Sequence, residues 1–148
     1  MIQEFAETWE EHKSKLEEKY GDVHPQNYSE IVADVIGLIA ENAEDISGHS
    51  VPDPQRIHAI DDGGYQGTQV YVIGEEGYQP SNYFYVRVHY GSCSGCDTLL
   101  SIRGSMRIRE NDDPNDEQQA GYMRLALHIF QSLKQMDFSH TANQMLDM

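Results

Sequence analysis

At 148 residues the chain fits one domain, residues 1–148, long enough to bury a core without disulfide staples. Its 10 Lys and Arg against 25 Asp and Glu give a net charge of −15, which argues against direct binding to DNA or RNA, where phosphate contacts need a basic footprint. No apolar run approaches membrane-spanning length, and the first residues read as an acidic amphipathic segment instead of a leader, so the expected setting is cytosolic.

The charge is unevenly spread. Residues 1–50 hold 12 acids and 3 bases, residues 51–100 hold 6 and 2, and residues 101–148 hold 7 and 5. A strongly acidic surface suits a basic protein partner, or stands in for nucleic acid on a protein that binds it; solubility is the plainer use of the same charge.

From Ile2 to Tyr20, the apolar residues Ile2, Phe5, Trp9, Leu16 and Tyr20 recur at helical spacing, and Gly21 supplies a stop. The outer face of this first helix carries Glu7, Glu10, Glu11, Glu17 and Glu18, with Lys13, Lys15 and Lys19 spaced for local ion pairs. Asn27 with Glu30 has the form of a capping box and opens a second helix to about Asn42, whose broad apolar arc predicts packing on both the first helix and a sheet. Asp45 to Pro54 reads as a loop.

Three strands follow, Arg56–Asp61, Thr68–Ile73 and Asn82–Tyr90, with glycine-rich connections that predict an antiparallel meander. In the third, Phe84, Val86, Val88 and Tyr90 alternate with Tyr83, Tyr85, Arg87 and His89, one face apolar and the other aromatic and polar. Six of the nine tyrosines lie between Tyr65 and Tyr90, giving either a recognition surface or simply good strand formers. A short helix is expected around Leu99, Leu100 and Ile102. A long one follows from Pro114, with Asp113 as its start, to Met136, and a fraying tail covers 137–148. The fold class is therefore α+β: two N-terminal helices, a three-stranded meander, a short helix after a Cys-x-x-Cys turn, and a long C-terminal helix.

That turn holds both cysteines, Cys93 and Cys96. Ser94 and Asp97 match an N-terminal capping pattern, which would place Cys96 where amides and the helix dipole favour a thiolate; the adjacent Asp97 and the overall negative charge oppose this. Two thiolates fill half of a zinc site, and the nearest candidates for the remainder are His89 and His58, the latter if its strand lies beside that of His89, with His128 a third. Small residues that let the chain turn tightly beneath a helix explain the same pattern without a metal. No Gly-x-Ser-x-Gly, Walker loop, dinucleotide fingerprint or His-Glu-x-x-His occurs, so no enzymatic activity is expected.

The segments Gly77–Ser81, Tyr83–Val86 and Tyr90–Leu99, with the run Tyr122–Ile129, resemble a family of small uncharacterised bacteriophage proteins over roughly residues 70–136. The resemblance implies no activity, only a setting, the cytoplasm of a bacterial host. The expected function is that of a small acidic accessory protein that binds a basic host or phage protein through Glu7, Glu10, Glu11, Glu17 and Glu18, with Tyr71, Tyr83, Tyr85 and Arg87 as a second contact surface. A metal-binding or redox module at the CxxC pair, and a virion or assembly component, are the alternatives. A homo-oligomer is compatible with each.

Overall fold

The computed structural model describes residues 5–42, 51–61, 67–76, 83–90, 98–103 and 113–135. Helix α1 spans Ala6–Asp22 and α2 spans Tyr28–Glu41. Strands β1 (Pro52–Asp61), β2 (Gly67–Glu75) and β3 (Tyr83–Tyr90) follow, then α3 (Thr98–Arg103), α4 (Asp116–Ser132) and β4 (Lys134–Gln135). The α+β class and the order of helices and strands are those expected. The sheet, however, has four antiparallel strands in the order β1-β2-β3-β4, where three were expected. Helix α4 ends at Ser132, earlier than the predicted Met136. Leu133 then turns extended, and Lys134 and Gln135 pair with Tyr85 and Phe84.

The helix ends follow local chemistry. Gly21 is not a stop: α1 runs through it to Asp22, and the Val23 amide closes the last turn on the Lys19 carbonyl at 2.9 Å. His24 precedes Pro25, a position that disfavours helical backbone, so the chain leaves there. A Cβ at position 21 would sit 2.7 Å from the Gln119 side-chain nitrogen, which crosses from α4 to donate to the Glu17 carbonyl, so a larger residue there would displace that side chain. At α2 the Asn27 side chain accepts the Glu30 amide at 2.9 Å, as predicted, while the Glu30 carboxylate takes the amide of Gln26 instead of that of Asn27. Helix α4 is capped by Asn115, with Gln118 completing a full capping box, so its start lies two residues beyond the Asp113 expected to cap it.

One apolar cluster joins these elements. Helix α2 contributes Ile31, Val32, Val35, Ile36 and Ile39 and packs on β1, α1 and α4, the multiple packing its broad apolar arc predicts. Trp9 of α1 stacks on Phe130 of α4, with ring centroids 4.9 Å apart and planes within 9°. Across the sheet, Ile57, Ile73 and Phe84 stand in one row and Ala59, Tyr71 and Val86 in the next row on the same face. Ile73, Tyr71, Phe84 and Val86 are fully buried, so this face meets the helices.

Gly37 lies within α2, and a Cβ there would meet nothing within 4 Å among the described residues. Gly37→Ala is therefore expected to stabilise the protein by about 0.5–1 kcal/mol through helix propensity alone. Chemical denaturation measures it, and a loss of stability would mean that the glycine serves a contact.

Candidate functional site

Helix α1 divides by its turn of 100° per residue: Phe5, Trp9, Leu16 and Tyr20 face the core, and Glu7, Glu10, Glu11, Glu17 and Glu18 are all exposed. The lysines neutralise that outer face less than their spacing suggests. Lys13 pairs with Glu10 at 2.8 Å, and His12 approaches Glu11 at 3.9 Å. Lys19 turns away from α1 altogether, reaching Asp34 of α2 at 2.7 Å and Glu30 at 3.9 Å. Glu7, Glu17 and Glu18 are left without an ion-pair partner among the described residues.

Asp34 organises this side of the molecule because it accepts from two donors at once, Lys19 and the Tyr20 hydroxyl, the latter at 2.9 Å. Burial first, then the charge and hydrogen bond of Asp34, push the Tyr20 hydroxyl well above the ordinary phenol range. The folded state thus holds that proton more tightly than the unfolded chain. The stability it contributes is complete below pH about 10, the unfolded value, and falls above it by up to about 1.4 kcal/mol per pH unit. Tyr20→Phe should flatten the loss of stability between neutral and strongly alkaline pH relative to the native chain, as followed by denaturant midpoints; identical slopes would exclude this linkage.

The sheet's second face does not form the surface expected of it. Tyr83, Tyr85 and Arg87 do share one side with His89, by alternation along β3. Tyr71 does not join them: it pairs with Val86, lies on the core face and is fully buried, with its hydroxyl bonded to Gln69 and 3.2 Å from that of Ser29. Tyr85 is also buried, so of the three tyrosines only the half-buried Tyr83 offers appreciable surface. The reason is parity, because Tyr71 alternates with Val70 and Val72 and must follow Ile73 inward.

His58 and His89 occupy the same outer face, but β2 separates their strands. Two strand spacings across and four residues along put them about 16 Å apart, too far to ligate one ion. Cys93 and Cys96 lie outside the described residues. Among the described residues, no group of three His, Cys, Asp or Glu side chains is placed to hold a metal.

A feature that sequence reasoning missed lies where β3, α4, α2 and α3 meet. A cleft of about 150 Å³ is lined by Arg87, Val88 and His89 of β3, Leu125, His128 and Ile129 of α4, Tyr28 of α2 and Thr98 of α3. The Tyr28 hydroxyl accepts the Leu99 amide at 3.0 Å, tying the first turn of α3 to the start of α2. His89 is oriented by Thr68 on the neighbouring strand, its Nδ1 2.9 Å from Oγ1. His128 is exposed on α4.

The chain matches no known family, curated protein or solved structure. The geometry of its surfaces is therefore the basis for a functional reading. Among the described residues, no helix is long and apolar enough to cross a membrane.

Proposed function

We infer that the protein is a non-enzymatic binding protein whose exposed acidic face on α1 docks against a basic surface of another protein. The observation that supports this most directly is that Glu7, Glu17 and Glu18 stand exposed on one helix with no ion pair among the described residues, Lys13 being held by Glu10 and Lys19 by Asp34. Fixed carboxylates that lack internal partners keep their full field for an incoming cation, and such complementarity mainly raises association rate and selectivity. In the setting implied by the resemblance to phage proteins, the partner is a host or phage protein with an arginine- and lysine-rich face.

The test is capture from bacterial lysate on the immobilised protein at low ionic strength, followed by elution in rising salt. A basic protein released steeply by salt is the expected result, because screening shortens the reach of surface charges to about 8 Å at physiological ionic strength. Capture of no protein at low salt removes this reading.

A further inference from the structure

We propose that the outer edge of β1 is a self-association site, at which a second copy of this chain adds its own β1 antiparallel to the first and joins two four-stranded sheets into one. The proposal does not depend on the docking role of α1, which lies on other residues. Strand β1 ends the sheet, and among the described residues it pairs on one side alone, with β2. Backbone N–H and C=O groups along such an edge call for another strand, the partner whose spacing matches theirs. The two halves of β1 differ in how the edge is guarded. The first holds Pro52 and Pro54 and a shift of register between Pro52 and Ile57. The second, residues 57–60, pairs regularly with β2 and contains neither proline nor lysine.

The exposure of that second half shows what fits it. His58, Ala59 and Ile60 are all exposed, Ile60 to 49%, although alternation sends His58 and Ile60 to the outer face and Ala59 to the helix side. Neither face of this strand end is covered, and α2, which packs on β1, leaves room above Ala59. Charge selects the occupant. Positions 54–60 hold no carboxylate in a chain of −15, and their one full cation, Arg56, is engaged by Asp53 at 3.4 Å and by the Glu75 carbonyl at 2.9 Å. A like-charged copy can therefore approach here without setting carboxylate against carboxylate, while a basic partner finds no anion to pair with. Two identical antiparallel strands pair about a two-fold axis perpendicular to the sheet, which keeps both helical layers on one side. With the axis beside Ala59 the exposed triplet pairs with itself, and Ile60 lies against His58 of the other copy.

Sedimentation equilibrium of the full chain, from micromolar to millimolar concentration, tests this. A monomer–dimer equilibrium is expected, and a weak one, because a strand pair of this length buries less than the ~1,200 Å² of a stable interface. Sodium chloride should tighten it by screening two chains of −15 from each other, the opposite of its effect on docking through α1, so the two readings fail separately. Ile60→Glu should weaken the dimer by about tenfold or more, since the change acts twice in a symmetric pair. Gln131→Glu, which adds the same charge at an exposed position of α4, should leave it unchanged. Should Ile60→Glu fail to fold, amide exchange on the native chain reads the same edge: alternate amides of residues 57–60 should slow as the dimer forms. A chain that stays monomeric at millimolar concentration in high salt, a dimer equally tight in a folded Ile60→Glu chain, or a dimer in which these amides exchange no more slowly overturns the proposal.

Discussion

Trp9→Ala is expected to remove about 3–5 kcal/mol of folding stability, the range for truncating a large aromatic side chain in a packed core. Trp9 is 3% exposed and lies flat on Phe130, so the substitution takes away the contact that seats α1 on α4 along with its own buried area. Partial collapse of the site would move the loss toward the lower end of that range. Denaturant melts should show a lower midpoint with an unchanged slope, and the thermal midpoint should fall by roughly 10 °C or more. A loss below about 1 kcal/mol would mean that α1 is not docked as described.

Reversing Glu7, Glu17 and Glu18 together to lysine is expected to weaken the captured partner's binding by about tenfold or more, each change replacing an attraction with a repulsion. The fold should tolerate it. All three side chains are exposed and have no ion-pair partner among the described residues. Lysine in the first turn at position 7 opposes the helix dipole by about 0.3–1 kcal/mol, and positions 17 and 18 lie before the last turn, where the dipole acts weakly. The melting temperature of the variant is thus expected to stay close to that of the native chain, which separates a binding defect from an unfolded one. Unaltered binding by a folded variant would place the contact surface elsewhere.

Much of the scaffold was legible in the sequence because it is written in periodicity. Trp9, Leu16 and Tyr20 mark one helical stripe, Ile31 to Ile39 a broader one, and Phe84, Val86 and Val88 an alternating strand; each set is buried as its spacing predicts. Strand β4 was not legible, since two residues carry no period and its pairing depends on where α4 stops. The placement of Tyr71 required the register between β2 and β3, which alternation within one strand leaves open, although its shared parity with Ile73 pointed inward. His58 and His89 were judged by sheet face without strand order, and β2 falls between their strands. The fate of Lys19 is tertiary in origin: it finds Asp34 across fifteen residues of sequence, a pairing that spacing along one helix cannot carry.

The most direct measurement is the affinity of the captured basic protein for the native chain and for the Glu7/Glu17/Glu18→Lys chain, each across a salt series. A docking role for α1 predicts tight binding by the native chain at low salt that weakens steeply as salt rises, and weak, nearly salt-independent binding by the variant. Equal affinities for the two chains at every salt concentration would contradict it.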